Sequence, residues 1–328
     1  FYLGKHVTGV GGDAFQYASG MQTITLQDGN TAYALQDGTL YTSDFTTAVY
    51  RPAAQTTAIK LDSRTQTIGK YAFNSSKASG VSIPEGVVSI GKSAFEAGKF
   101  EKITLPSTVT DLGTGCFSLC SYLSEFDFGG ANISVLPDMM FKSCSSLTQI
   151  SIPESVTSIG SDKTGEVFYG CALEKVTWAE NCQVQEIKPR SFYCNPLAEI
   201  SIPASIEVIG MQTFQFCWNL SDVSFAKDSK LQSIYPLTFW CCYSLKELNL
   251  PASVETLYHS CFAYSGLESL RLPKNLSKIE EEVFQECTNF AEITVDPENT
   301  HFVAEDNVLY NKAKTTLVLY PCARKGES

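Results

Sequence analysis

The sequence has 328 residues, of which 44% are hydrophobic and 18% are charged, a composition that supports a large continuous core and excludes a disordered chain. The formal net charge of −11 argues against nucleic acid or an anionic membrane surface as a partner. No apolar run approaches the roughly 18–20 residues that a membrane-spanning helix needs, so we expect no membrane span.

A phenylalanine preceded by a small or apolar residue recurs along the chain, and after one long first gap the intervals are 22 to 27 residues. An aliphatic residue precedes almost every such phenylalanine by five positions, and most units also contain an apolar–Pro pair. Self-similarity at this period is the signature of a solenoid. The anchor phenylalanines, as we call them, are Phe15, Phe73, Phe95, Phe117, Phe141, Phe168, Phe192, Phe214, Phe239, Phe262 and Phe284.

Each unit predicts the same succession of short elements. In residues 146–160, Ile150 and Ile152 alternate with Ser151, which predicts a short strand with the aliphatic side chains inward. Pro153 ends that strand because it cannot donate to a ladder, and a second extended run comes after it. We expect the anchor on a short helical or 3₁₀ turn. The units together predict about eleven coils of stacked parallel strands, a solenoid roughly 50 Å long.

Two longer segments interrupt this pattern, at about residues 28–54 and 297–322. Their sequences from Asn30 to Pro52 and from Asn299 to Pro321 align without a gap. Both contain a dipeptide typical of hairpin turns, Asp37-Gly38 in the first and Asp306-Asn307 in the second, between alternating flanks. Each segment therefore predicts a three-stranded β-meander that protrudes from the solenoid or lies along it.

The twelve cysteines first suggest a secreted disulfide framework. Their spacing argues against it, because half of them follow an anchor at a fixed distance and stacked side chains point the same way instead of facing each other. A column of one residue type is a packing feature, so we predict buried free thiols. The cysteines three residues after an anchor are Cys120, Cys144, Cys171, Cys217, Cys242 and Cys287.

The sequence offers no constellation for catalysis. Its three histidines have no second His or Cys at metal-ligand spacing, and no nucleophile elbow or phosphate-binding glycine loop is present. The carboxylates of Glu280–Glu282 are interpreted as a solvated face. We therefore predict no catalytic residue, no metal ligand and no cofactor.

Two polar columns follow the predicted first strands. The outward position in mid-strand is small and polar in most units, and a charged column lies two positions before it along the strand. The simpler interpretation is cross-strand hydroxyl pairing with solubilising charge, and the functional one is an acidic docking strip. The charged column includes Lys102, Glu125, Lys175, Glu199, Asp222, Glu247 and Glu292.

Aromatic residues crowd the loops near the anchors between about residues 169 and 264, and Phe216 and Tyr235 are part of this bias. Earlier units carry small or charged residues there, so the repeat rule does not explain it. Two interpretations stay open, stacked rings that only add stability and a ligand surface. The predicted ligand-binding residues are Tyr169, Tyr193, Trp218, Trp240, Tyr243, Tyr258 and Tyr264.

The phrases SSLTQISIPESVTSIG and VFQEC resemble the BspA-like leucine-rich repeats of bacterial surface proteins, and the insertion DG-LY----TT-L--YP is similar to one common among them. The resemblance covers nearly the whole chain. The chain departs from the pattern in the Phe168 unit, where SDKTGE is inserted, and at Tyr235 and Tyr258, where the usual turn glycine is missing.

This resemblance implies an exported, cell-surface location and a role in adhesion or host-protein binding, with no catalytic motif to transfer. Since the chain starts at Phe1 without a leader, we expect a fragment whose export signal has been removed. We predict one solenoid domain over residues 1–328 that is an extracellular, non-catalytic binding module for a protein or glycan. A glycan-capture protein and an architectural spacer are the alternatives.

Overall fold

The computed structural model describes residues 1–161 and 164–324, and no helix occurs among them. Two residues of the SDKTGE insertion, 162 and 163, and the last four residues of the predicted domain lie outside the described residues. The strands are β1 (Tyr2–Leu3), β2 (Thr25–Leu26), β3 (Tyr33–Gln36), β4 (Thr39–Thr42), β5 (Thr47–Tyr50), β6 (Ile59–Lys60), β7 (Thr67–Ile68), β8 (Val81–Ser82), β9 (Ser89–Ile90), β10 (Lys102–Thr104), β11 (Asp111–Leu112), β12 (Glu125–Asp127), β13 (Val135–Leu136), β14 (Gln149–Ile152), β15 (Ser158–Ile159), β16 (Lys175–Trp178), β17 (Glu186–Ile187), β18 (Glu199–Ile202), β19 (Val208–Ile209), β20 (Asp222–Phe225), β21 (Ser233–Ile234), β22 (Thr256–Leu257), β23 (Ser269–Leu272), β24 (Lys278–Ile279), β25 (Glu292–Val295), β26 (Phe302–Glu305), β27 (Val308–Asn311) and β28 (Leu317–Leu319).

Most coils contribute two strands, each parallel to its equivalent in the next coil. The first strands pair two by two, as in β14 with β16, where Ile150 lies opposite Val176. The second strands form longer sheets, such as β13-β15-β17-β19. The predicted β-solenoid is confirmed, with about 13 turns. The eleven anchors undercount the turns in part because β5 takes the place of a second strand and pairs with β7, although its coil has no anchor phenylalanine.

Ten of the eleven anchor phenylalanines, Phe73 to Phe284, stack in a single file through the interior, whereas Phe15 stacks on Tyr50 beside the smaller N-terminal cluster. Phe95, Phe117 and Phe214 are fully buried, as predicted. Neighbouring rings from Phe73 to Phe284 are nearly parallel, with centroids 5.2 Å apart at the closest pair and 6.0 Å at the widest. The main core cluster extends from Tyr41 to Leu309, beside a smaller one near the N-terminus. That all 328 residues form one domain stays a prediction.

The expected helical turn at each anchor is absent, because left-handed residues flank the anchor on both sides. Around Phe73, Tyr71 has φ 56° and Ser75 has φ 57°, and an α-helix cannot contain such residues. Left-handed residues alternate with other residues along this segment, so every second backbone N–H points toward the next coil. Tyr71, Phe73 and Ser75 donate to the carbonyls of Lys92, Ala94 and Glu96 at 3.1, 2.8 and 2.7 Å. The anchor segments therefore form a third hydrogen-bonded ladder.

The first meander is built into the solenoid. Strands β3, β4 and β5 are antiparallel, and β5 then pairs in parallel with β7 in one sheet of order β11-β9-β7-β5-β4-β3. Tyr50 at the end of β5 is buried and stacks on Phe15 with centroids 4.1 Å apart. The second meander forms the separate sheet β26-β27-β28.

The cysteine column has a hydrogen-bonding role. Cys120 Sγ donates to the carbonyl of Phe95 at 3.1 Å, and Cys217 Sγ donates to that of Phe192 at 3.2 Å. In the Phe192 unit, Asn195 takes the column position and its Nδ2 donates to the carbonyl of Phe168 at 2.8 Å. The column therefore gives the anchor carbonyl of the preceding coil a second donor. All twelve cysteines are free.

We expect thiol reagents to distinguish three classes of cysteine in the native protein. Cys322 is exposed, Cys182 and Cys194 are half-buried, and the remaining nine are buried. Burial raises the pKa of Cys120 and of Cys217 to about 12, so only about one such thiol in 10⁴ is a thiolate at pH 8. A native titration at that pH should label Cys322 first, and denaturant without reductant should expose all twelve. Recovery of fewer than half of them would indicate disulfides.

Candidate binding surface

The predicted ligand residues come from corresponding positions in successive coils. Tyr169, Tyr193 and Trp240 each follow directly after a buried anchor. Tyr264 lies two residues after its anchor, and Phe216 occupies the same position in its own coil. Stacking of the coils brings these positions into one line across the surface of the turns.

The rings in this line touch one another continuously over five coils. Tyr169 and Tyr193 stack at 4.4 Å with an interplanar angle of 5°. Tyr193 meets Phe216 edge-on at 5.4 Å, Phe216 meets Trp240 edge-on at 4.9 Å, and Trp240 lies 5.4 Å from Tyr264. We call these five residues the aromatic file. Both stacked and edge-to-face pairs are favourable ring geometries.

Two of the predicted residues flank the file in more exposed positions. Trp218 lies four residues after its anchor and contacts Phe216 edge-on at 6.2 Å. Tyr243 has the equivalent position in the next coil, and the following residue, Ser244, donates its N–H to the Trp218 carbonyl at 3.3 Å. Trp218 is 51% exposed, Tyr243 57% and Tyr264 38%. The two flanking rings and Tyr264 are therefore open to solvent, whereas the other four members of the aromatic file are half-buried.

Tyr258 belongs to a different cluster. It precedes its anchor by four residues and stacks on Tyr235 at 5.2 Å, with the ammonium group of Lys278 5.7 Å from its ring centroid. No ring of the aromatic file contacts either tyrosine among the described residues. The structure thus separates Tyr258 from the other six predicted residues. It also places Phe216, which was not predicted as a ligand residue, at the centre of the file.

Two members of the aromatic file occupy left-handed backbone positions. Phe216 has φ 61° and Tyr264 has φ 58°. Other coils place Ser75, Ala97 or Gly170 at this position, and two coils outside the aromatic file place Leu119 and Tyr17 there. A bulky side chain in the left-handed region is uncommon. The fold imposes the conformation, but it does not impose an aromatic side chain.

An ion-pair network around a buried carboxylate lies at the N-terminal end of the aromatic file. Glu166, with a side chain only 8% exposed, accepts from Lys142 at 2.6 Å and from Arg190 at 3.3 Å. The Lys142 ammonium lies 5.0 Å from the ring centroid of Tyr169. Burial, followed by the neighbouring Tyr169, raises the pKa of Tyr193 to about 12, so this hydroxyl stays protonated and can donate. The file thus ends in polar groups that can orient a ligand.

The charged column on the first strands is of mixed sign. Lys102 pairs with Glu125, and Gln149 lies opposite Lys175. Glu199 and Asp222, by contrast, are register neighbours. Like charges directly opposite each other destabilise a sheet slightly. The acidic docking strip stays a prediction, limited to this short stretch.

The described residues hold no group of three or more His, Cys, Asp or Glu side chains arranged to bind a metal ion. Across the same ranges, no helix is both long and apolar enough to cross a membrane. The aromatic file offers contact area and hydroxyl and indole donors. This set of groups can recognise a ligand surface.

The sequence model of the family described as "BspA type Leucine rich repeat region" matches residues 44–163, 134–265 and 207–320, in six copies. These overlapping matches cover most of the chain. They include every unit that contributes to the aromatic file. No curated protein matches the sequence.

Several solved structures are similar to this chain. A leucine-rich repeat protein from Eubacterium ventriosum ATCC 27560 is 22% identical over 81% of this chain, with a TM-score of 0.45, and this chain spans 58% of its length. A leucine rich cell surface protein from Faecalibacterium prausnitzii A2-165 is 19% identical over 80% of this chain and 94% of its own, with a TM-score of 0.51. The pneumococcal vaccine antigen PcpA is 17% identical over 82% and 83% of the two chains, with a TM-score of 0.54. At these identities, the likeness to the latter two structures shows the fold alone.

Proposed function

The chain belongs to the BspA-type leucine-rich repeat family, and we propose that it is a non-catalytic, extracellular binding or adhesion module of a bacterial surface protein. Repeat solenoids present long surfaces on which successive coils contribute equivalent positions to one ligand. The structural neighbours from Faecalibacterium prausnitzii and pneumococcus are described as a cell surface protein and a vaccine antigen, which fits this setting.

The ligand surface in this proposal is the aromatic file together with Trp218 and Tyr243. The continuous ring contacts from Tyr169 to Tyr264 carry the proposal, because they join five coils into one apolar surface. Tyr and Trp dominate interface hot spots, since they bury a large area and lose little rotamer freedom. We favour a protein ligand, whose apolar side chains can pack on the exposed faces of Trp218, Tyr243 and Tyr264.

Capture experiments separate this function from its alternatives. The immobilised protein is exposed to extracellular host proteins that have been treated with glycosidases, with protease or with neither. A protein ligand survives deglycosylation and is lost after proteolysis. Loss on deglycosylation alone would show that the module captures glycans, for which the half-exposed Trp218 provides a stacking face. If the immobilised protein retains no ligand from any of the three pools, an architectural spacer would be favoured.

We expect the binding to depend only weakly on salt. The exposed rings of Trp218 and Tyr243 contribute by burying apolar area, whereas contacts between exposed charges are screened within about 8–10 Å at physiological ionic strength. Titrations of the captured ligand at low and high NaCl should give dissociation constants within about threefold of each other. A loss of tenfold or more would instead place the ligand on the acidic residues around Glu199 and Asp222.

A further inference from the structure

The first meander leaves a cleft between two coils of the solenoid. Anchors of neighbouring coils stack directly, as Phe73 does on Phe95 with ring centroids 5.3 Å apart. Between Phe15 and Phe73, however, the meander takes the place of a coil, and its strand β5 pairs with β4 and β7. Among the described residues, no strand pairs with the turn that precedes Phe15. The space beside this turn is a cleft of about 240 Å³, and all of its walls come from residues 10–70.

The walls of the cleft are largely apolar. Val10, Phe15 and Val49 line it, and Gly12 adds main-chain surface without a side chain. The Phe15 ring is held in place by the buried Tyr50, on which it stacks with ring centroids 4.1 Å apart. Drug-sized ligands occupy pockets of about 300–1,000 Å³, so this smaller volume suits one ring with a short substituent. Aromatic and main-chain walls are flat and therefore favour a planar ring.

The missing side chain at Gly12 keeps the cleft open toward Lys70. The corresponding residues of other coils include Lys92, Thr114 and Met211. Gly12 does not have the positive φ that favours glycine, so the backbone conformation alone does not require it here. A Cβ at Gly12 would lie 3.2 Å from Cδ of Lys70. A larger side chain at this position would therefore fill the cleft and displace the lysine side chain.

The polar groups of the cleft are hydrogen-bond donors. Lys70 is exposed and forms no salt bridge among the described residues, and no carboxylate of those residues lines the cleft. Tyr33, which is only 8% exposed, and Thr47 use their main-chain N–H groups in the fold, whereas their hydroxyls have no protein partner in the same part of the chain. A buried polar side chain without a partner is uncommon. An ammonium and two hydroxyls match a carboxylate, which only accepts and offers about four lone-pair sites.

The corresponding turn of the second module has the opposite charge. Glu280 and Glu281 take the positions of Gly11 and Gly12 and line the cleft there. Because like charges repel, a carboxylate ligand should select the first module.

We propose that the cleft between the first coil and the first meander binds a small monocarboxylate that carries one planar ring. The ring packs against Val10 and Phe15. The carboxylate accepts from the Lys70 ammonium and from the hydroxyls of Tyr33 and Thr47. A monoanion fits better than a phosphate dianion, because only one cation lines the cleft and an unpaired buried charge is costly. The site is independent of the aromatic file and takes a small molecule.

The probe is phenylacetate, added to the intact protein, with phenylacetamide as its neutral isostere and acetate as a carboxylate without a ring. We expect phenylacetate to bind with a Kd of about 0.1–1 mM and to shift the NMR signals of residues 10–15 and 47–50, but not those of residues 279–284. Phenylacetamide should bind about two- to fivefold more weakly, and acetate at least about tenfold more weakly. Lys70→Met should weaken phenylacetate about two- to fivefold and leave phenylacetamide unchanged. Lys92→Met, the same change at the corresponding position of the next coil, should have no effect.

Two further variants test the position of the ligand. Gly12→Leu should abolish phenylacetate binding by filling the cleft, and Thr47→Val, which keeps the shape of the side chain, should weaken it about threefold. Absence of phenylacetate binding at about 10 mM would overturn the proposal. Equal affinities for phenylacetate and phenylacetamide, or full binding by Gly12→Leu with an unchanged melting temperature, would overturn it too. Trp240→Ala with Tyr264→Ala should bind phenylacetate normally, so this proposal and the adhesion function fail independently.

Discussion

Replacing Phe214 with alanine should lower the free energy of unfolding by about 3–5 kcal/mol, through lost transfer energy and an unfilled cavity. The ring is fully buried between Phe192 at 5.7 Å and Phe239 at 5.5 Å, so no neighbour can move in without breaking its own stack. The Phe214 carbonyl also accepts from Cys242 Sγ, which ties the anchor to the next coil. Urea denaturation monitored by circular dichroism measures the change.

The matched control is Tyr17→Ala, because Tyr17 is an aromatic residue two positions after an anchor but is 74% exposed. Tyr17→Ala should lower the free energy of unfolding by no more than about 0.5 kcal/mol, as for most surface substitutions. If Phe214→Ala lowers the free energy of unfolding by less than about 1 kcal/mol, the anchor is not part of a packed core.

Replacing Asn299 with alanine should lower the free energy of unfolding by about 2–4 kcal/mol, although only one polar side chain is lost. Asn299 is 1% exposed and donates to the carbonyls of Pro273 and Leu276 at 2.8 and 2.9 Å, while it accepts from His301 and Phe302 at 2.8 Å each. The variant removes one partner from each of these four backbone groups, of which the Pro273 carbonyl still accepts from the Leu276 N–H at 3.2 Å. Unmade bonds in a site that water reaches poorly are expensive. The second meander should then detach before the solenoid unfolds.

Hydrogen exchange of residues 302–311 in Asn299→Ala reports this detachment directly. Asn30→Ala removes the equivalent four bonds and should behave similarly in the first meander. Asn132→Ala, at an exposed asparagine, should change neither stability nor exchange. Unchanged exchange in Asn299→Ala would mean that this side chain does not hold the meander.

Much of the fold could be predicted from the sequence because each coil obeys local rules. The period-two pattern around Ile150 and Ile152 and the spacing of the anchors depend only on which side chains face inward. The left-handed residues at positions such as Tyr71 and Ser75 could not be predicted, since no local propensity favours them. They exist because the ladder to the next coil offsets their cost.

The candidate site was predictable only as a regional excess of aromatic residues. Whether two rings touch depends on their position relative to the anchor and on the stacking of coils, which the sequence does not reveal. Phe216 therefore became the centre of the aromatic file, and Tyr258 turned out to pair with Tyr235 on the other side of its anchor. The pairing of β5 with β7 was also hidden, because edge pairing is a long-range contact.

The central claim is that the aromatic file binds the ligand, and a pair of double variants tests it. Trp240→Ala with Tyr264→Ala removes two contacting rings of the file, whereas Tyr235→Ala with Tyr258→Ala removes a contacting pair outside it. Both should lower the melting temperature modestly. Isothermal titration with the captured ligand should show at least about a 100-fold loss of affinity for the first variant and less than about threefold for the second. Equal affinities for the two folded variants would contradict the claim and leave the aromatic file as a stabilising stack.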